Sequence, residues 1–278
     1  DLGAAGQPIG DQLFAGIDFL ERIHPRPAAP LEAACVGKLG ELVMDILIVG
    51  GNGGIGLAMV QQALVRFPQA RVHATYRKHQ PDWQHPNVVW HQVDVSQDEQ
   101  VKALSEQIEH VDWLVNCVGM LHTQDKGPEK NLSSLDADFF QQTIMVNTLP
   151  SLLLAKYFTP KLKRSTNPKF ATISAKVGSI SDNHLGGWYS YRASKAALNM
   201  FLKTMSIEWR RMVKHGTVLA LHPGTTDTAL SAPFQANVPE GKLFSPERVA
   251  RDLWGLIDKA TPQDSGAFWA YDGALLPW

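Results

Sequence analysis

Tyr191 and Lys195 stand four residues apart in Tyr191-Arg192-Ala193-Ser194-Lys195. They open a segment whose apolar residues, Ala197, Leu198, Phe201, Leu202 and Met205, recur with a helical period. On a helix this spacing puts both side chains on one face. A free phenol titrates near ~10, and a neighbouring ammonium stabilises the phenolate. Such a pair can deliver the proton that an oxygen gains when a carbonyl carbon takes a hydride. Positioned acid–base catalysis of this kind contributes about 10²–10⁴-fold. Tyr189 has Ala193 at the corresponding position and lacks the partner. The spacing alone is common, so its meaning depends on a hydride source elsewhere in the chain.

That source is suggested upstream. Asp45–Val49 is an aliphatic run without alternation, as in a strand buried on both faces of a parallel sheet. It leads into Gly50-Gly51-Asn52-Gly53-Gly54-Ile55-Gly56, and then into Leu57–Phe67, apolar at 57, 60, 64 and 67. Strand, glycine turn and helix together form the context in which a pyrophosphate meets backbone N–H groups at a helix N-terminus. Gly50 would make the tight turn, Gly54 would admit the phosphates, and Gly56 would let helix and strand pack closely. Asn52, Gly53 and Ile55 share the phosphate-facing backbone. The next strand, Arg71–Tyr76, ends in Arg77-Lys78 and carries no acid at its end. A carboxylate there would bond a ribose 2′-hydroxyl; a guanidinium instead suits a 2′-phosphate. Arg77 and Lys78 therefore predict NADP(H) as cofactor.

Composition removes several other classes. The 278 residues carry 26 basic and 27 acidic side chains, a net charge of −1, without the basic excess that nucleic-acid binding usually needs. No apolar run approaches the ~18–20 residues of a membrane span. Two cysteines, Cys35 and Cys117, make no disulfide framework, and a reducing cytoplasm is the expected compartment. The ten histidines are scattered singly with no helical HxxxH pair, so no metal is expected. Cys117 reads as a small apolar filler at a strand end.

The turn spacing, Gly50-x-x-x-Gly54-Ile55-Gly56, resembles that of the short-chain dehydrogenases/reductases, although Val49 stands where the family often has Thr. The resemblance covers residues 44–278 and extends through Tyr191-x-x-x-Lys195. The stretches Gly186–Met200 and Tyr271–Trp278 look like the C-factor/sniffer-type carbonyl reductase branch. It implies an α/β fold of one domain, a doubly wound parallel Rossmann-type sheet of seven strands in order 3-2-1-4-5-6-7. It further implies adenine contacts at Asp94-Val95 after the third strand, though Asp94 can equally sit in the turn, where Ser96 precedes a helix running to about His110. Asn116 and Gly119 match the ends of the family's segment after the fourth strand. Asn147, within a helix expected from about Asp136 to Lys163, matches an asparagine that holds a water linked to the lysine. Pro223, Gly224, Thr226 and Thr228 match the loop over the nicotinamide, and residues 229–244 read as a substrate lid. The catalytic serine matches imperfectly. The family writes two serines in succession, the second catalytic, where this chain has Ser174-Ala175. Ser174 is the expected residue and Ser179 the alternative.

Together these imply an NADP-dependent oxidoreductase acting on a small-molecule carbonyl or secondary alcohol, with Tyr191, Lys195, Ser174 and Asn147 as catalytic set. The alternative is a non-catalytic NADP(H)-binding regulatory or signalling protein on the same fold. An apolar pocket is expected, with Trp188, His184, Leu185 and Phe234 as candidate walls, and the family association is a homodimer or homotetramer. Residues 1–43 differ in character. An amphipathic stretch from Leu13 to Ile23 is followed by His24-Pro25-Arg26-Pro27-Ala28-Ala29-Pro30, whose prolines break a helix. They read either as a largely mobile upstream extension or as a docking arm, ahead of a domain opening at Met44.

Overall fold

A computed structural model describes residues 43–278. The N-terminal extension expected over 1–43 therefore lies, apart from Val43, outside the described residues. The run Asp45–Val49 forms strand β1, buried at every position. It pairs in parallel with β2 (Arg71–Tyr76) and with β4 (Trp113–Asn116). With β3 (Val88–Gln92), β5 (Lys169–Ile173), β6 (Thr217–His222) and a last strand β9 (Ala267–Ala270), the sheet has seven strands in order β3-β2-β1-β4-β5-β6-β9. This is the expected doubly wound sheet. The order reverses between β1 and β4, and the crevice beyond the strand C-termini there is where such folds bind ligands.

Two apolar layers flank the sheet. Helices α1 (Gly54–Arg66) and α6 (Pro246–Lys259) cover one face through Met59, Val60, Leu253, Trp254 and Ile257. Helices α2 (Asp98–Gln107), α4 (Leu149–Leu162) and α5 (Tyr189–Met212) cover the other through Leu104, Leu154, Phe158, Leu202 and Trp209. No described helix is long and apolar enough to cross a membrane.

The long helix expected from Asp136 to Lys163 is two helices. α3 (Ala137–Asn147) stops at Thr148, and α4 begins at Leu149. Pro150 explains the break: it has no N–H for the Val146 carbonyl, and its ring would clash there. Asn147 thus sits at a helix end rather than mid-helix. The stretch 229–244 is only partly a lid. Leu243-Phe244 (β8) pairs with Thr225-Thr226 (β7), and Phe244 is buried against Tyr271, ring to ring at 4.6 Å. At the far end, Trp278 lies flat on Phe268, centroids 5.4 Å apart. Its carbonyl accepts from Ser181 N at 3.1 Å and Ser181 Oγ at 2.9 Å.

Candidate active site

The glycine turn closes as its spacing requires. Gly50 has φ +75°, a left-handed conformation that glycine adopts without strain, and its N–H donates to Thr75 Oγ1 at 2.9 Å. A Cβ on Gly56 would land on the Gly50 carbonyl, and one on Gly54 would come within 2.6 Å of Thr228 Cγ2. Only bare backbone fits this cradle at the N-terminus of α1, where the helix dipole favours an anion. Gly53 precedes the first turn with no side-chain cap, which leaves the leading N–H groups for a ligand. Asn52 donates from Nδ2 to the carbonyl of His79 at 3.2 Å, tying the turn to the loop that carries exposed Arg77 and Lys78. The residues thus fit a phosphorylated dinucleotide. The asparagine tie was not anticipated from the sequence, since nothing in Gly51-Asn52-Gly53 marks a partner 27 residues away.

A cavity of about 470 Å³ opens beside this turn. Gly53 to Gly56, Gly119, Tyr191, Lys195, Pro223, Gly224, Thr226 and Thr228 all border it. Several expected cofactor residues do not. Asn116 is buried, with Nδ2 donating to Ser151 Oγ and Oδ1 accepting from Val118 N, so its amide shapes the turn after β4. Val95 is packed in the core below α2, and Asp94 Oδ1 accepts from Ser96 N and Oγ, the turn reading. Cys117 borders the cavity, yet burial pushes its thiol up to about 12, in keeping with a filler.

Tyr191 and Lys195 share one face of α5, with the ammonium 5.9 Å from the phenol ring centroid. Lys195 Nζ donates to the Ile173 carbonyl at 3.1 Å. Burial pulls the lysine down to about 8 and pushes the tyrosine upward. The downward shift expected for Tyr191 is thus opposed by desolvation, the larger influence in the protein alone. Asn147 takes Met120 N at Oδ1 (2.6 Å) and gives its Nδ2 hydrogens to Met120 O and Ser194 Oγ, both at 2.9 Å. It fastens the chain after β4 to α5. A Cβ on Gly119 would lie 3.5 Å from Lys195 Nζ and 3.7 Å from Asn147 Oδ1, so these three meet.

The serines answer differently from expectation. Strand alternation turns Ile173 toward α1 and α6 and therefore Ser174 toward α5. Ser174 reaches the cavity wall but is buried, and its hydroxyl donates to Asn199 Oδ1 at 2.6 Å. Ser179 is buried too, and its oxygen accepts from Asp182 N at 3.1 Å. Ala175, with a methyl, borders the cavity between them.

Trp188 and Phe234 form the expected apolar wall, their rings 5.3 Å apart, with Trp188 edge-on to Tyr191 at 6.1 Å. Leu185 and His184 do not join it; both are exposed. Gly186, Gly187 and Trp188 have φ of +66°, +64° and +55°, three successive left-handed residues leading into α5. Arg192 holds that turn through the carbonyls of Gly187 (3.0 Å) and Gly186 (3.2 Å). His222, at the end of β6, also borders the cavity; burial lowers it to about 4, and its Nδ1 has no partner.

Comparison with known proteins agrees with this architecture. The chain is 35% identical over 191 residues to 1-hydroxy-2-glutathionyl-2-methyl-3-butene dehydrogenase of Rhodococcus sp. (strain AD45), covering 67% of this chain and 78% of that one. It is 33% identical over 169 residues to C-signal of Myxococcus xanthus, covering 60% and 93%. NADPH-bound carbonyl reductase from chicken fatty liver superposes with a TM-score of 0.74 at 26% identity, over 87% of this chain and 97% of that one. The family described as short chain dehydrogenase matches residues 45–239. With its turn, its sheet order and its Tyr-Lys pair on one helix face, the chain belongs to the short-chain dehydrogenase/reductase family.

Proposed function

We propose that this protein is an NADP(H)-dependent oxidoreductase that interconverts a small carbonyl compound and its alcohol. One observation carries the reading: Tyr191 and Lys195 border the same cavity as the bare backbone of Gly53 to Gly56. The turn residues would hold the pyrophosphate, and Arg77 and Lys78 the 2′-phosphate, steadied through Asn52. Gly119, Pro223, Gly224, Thr226 and Thr228 would flank the nicotinamide end. Bound NADPH supplies the hydride. The chicken reductase, which binds NADPH, supports the choice of cofactor.

Tyr191 gives the proton to the substrate oxygen. Lys195, fixed on the Ile173 carbonyl, favours the phenolate that remains, and Asn147 keeps α5 in register with the chain after β4. Trp188 and Phe234 exclude water from the reacting carbon and favour an apolar substrate. With the Ser174 hydroxyl engaged by Asn199, polarisation of the carbonyl rests on Tyr191. That engagement is also the observation that favours the second reading, a cofactor-binding regulatory protein without turnover.

Fluorescence titration with NADPH and NADH, followed by absorbance with a panel of diketones, quinones and aldehydes, separates the two. The reductase reading expects NADPH to bind more tightly than NADH, and turnover to fall about 10²–10⁴-fold in Tyr191→Phe with NADPH affinity unchanged. Tight NADPH binding without turnover across a broad panel supports the regulatory reading instead.

A further inference from the structure

We infer that Glu129, in the segment between β4 and α3, is a positioning residue for Tyr191; the inference rests on the acid–base reading of Tyr191 given above. Glu129 is buried although it is a carboxylate, and none of the ion pairs among the described residues includes it. Its partners are the first residues of α5. Ser190 N donates to Oε2 at 3.0 Å, Ser190 Oγ donates to Oε1, and Trp188 N donates to the Glu129 main-chain carbonyl at 2.5 Å. The helix has no cap of its own: Trp188 occupies the cap position in a left-handed conformation without a side-chain hydrogen bond. A serine or aspartate at 188 would cap an ordinary helix from within. Here the cap comes instead from 61 residues away, on the segment whose earlier residues Gly119 and Leu121 border the cavity.

The consequence is geometric. Glu129 grips Trp188 and Ser190, the residues on each side of Tyr189 and the second of them next to Tyr191, so the first turn of α5 cannot rotate or slide without leaving a buried carboxylate unpaired. Gly187 lies close beneath the same segment, where a Cβ would be 3.3 Å from the carbonyls of Glu129 and Lys130. The phenol on α5, the Trp188 wall and the chain after β4 are thereby held as one unit. A misplacement of about 1 Å at such a site can lower turnover by about 10²-fold.

The test uses the full-length protein with NADPH and a carbonyl it reduces. Glu129→Ala is expected to lower kcat by about 100-fold while NADPH Kd stays within about twofold, because the phosphate cradle is on α1. Glu129→Gln keeps an acceptor for Ser190 N and offers a donor to Ser190 Oγ, so it is expected to restore kcat to within about threefold of wild type. In Glu129→Ala, hydrogen exchange at the Trp188 and Ser190 amides should accelerate about tenfold or more, with the β-sheet core unchanged. Wild-type kcat in Glu129→Ala overturns the inference, as does a loss of kcat matched by an equal loss of thermal stability or NADPH binding. So does Glu129→Gln failing as badly as Glu129→Ala. A wild-type protein that binds NADPH and reduces nothing is a separate result, seen in the control: it removes the acid–base reading, and the inference with it.

Discussion

Two glycines in the turn do different work, and substitution should separate them. An alanine Cβ at 56 would meet the Gly50 carbonyl, part of a tight turn with no room to yield. An alanine Cβ at 54 would meet the side chain of Thr228, which is only half-buried at the cavity rim. Gly56→Ala is therefore expected to lose NADPH binding together with thermal stability. Gly54→Ala should keep its melting temperature within about 2–4 °C while NADPH affinity falls about tenfold. Adding Thr228→Ser, which removes the Cγ2 methyl, should recover part of that affinity in a titration; no recovery would mean that Gly54 is needed for the phosphate alone. The need for bare backbone at Gly50 and Gly56 was legible because each is a statement about absent side-chain volume, which a one-letter sequence records directly. Glu129 was not legible. Its partner Ser190 is 61 residues distant, and a Pro-Glu-Lys stretch in a loop looks like solvated surface.

Among the elements, edge strand β3 carries a liability at its pairing with β2. His73 and His91 lie Nδ1 to Nε2 at 2.9 Å, and burial, with His91 next in effect, holds His73 down to about 4. The folded protein keeps this imidazole neutral over a range in which the unfolded chain protonates it, beginning near ~6.5. Stability from the pair is thus complete above about pH 6.5 and is lost as pH falls toward 4, by at most about 3 kcal/mol for His73. His222, also lowered to about 4, adds to the same window. Urea midpoints followed by circular dichroism should fall between pH 7 and 4.5, and His73→Leu should flatten the fall by roughly half. An unchanged pH dependence in His73→Leu would assign the acid sensitivity to other groups. The strands themselves were readable from their β-branched, apolar runs, with β1 and β2 correct at both ends. The division at Thr148 was missed because the apolar pattern runs on through both helices, and only Pro150 marks the break.

For the whole molecule, the cofactor cradle spans the switch point of the sheet, so occupying it should stabilise the entire domain. At NADPH about 100-fold above its Kd, linkage predicts about 2.7 kcal/mol, or roughly 5–10 °C in a thermal melt for a domain of this size. NADH should give a smaller shift. Arg77→Asp should reverse the order, because a carboxylate repels a 2′-phosphate and accepts from a 2′-hydroxyl. Equal shifts with both cofactors in the wild type would place the selectivity elsewhere than the end of β2. The sheet order was legible at this scale through the family resemblance, since the alternation of strands and helices by itself indicates a doubly wound parallel sheet and not the order of its strands. The path of Ser174 into the interior was not, because it depends on which face Ile173 takes in the assembled sheet.

The seat of Trp278 bears on the loop that feeds the site. Trp278 stacks on Phe268, and its carbonyl receives both hydrogens offered by Ser181, in the loop that runs on to Trp188 and Tyr191. Trp278→Ala takes away the ring on Phe268 that holds this carbonyl in place. Kinetic constants of that variant would describe a protein with a slackened loop, so KM should rise without any change at the phosphate-binding turn.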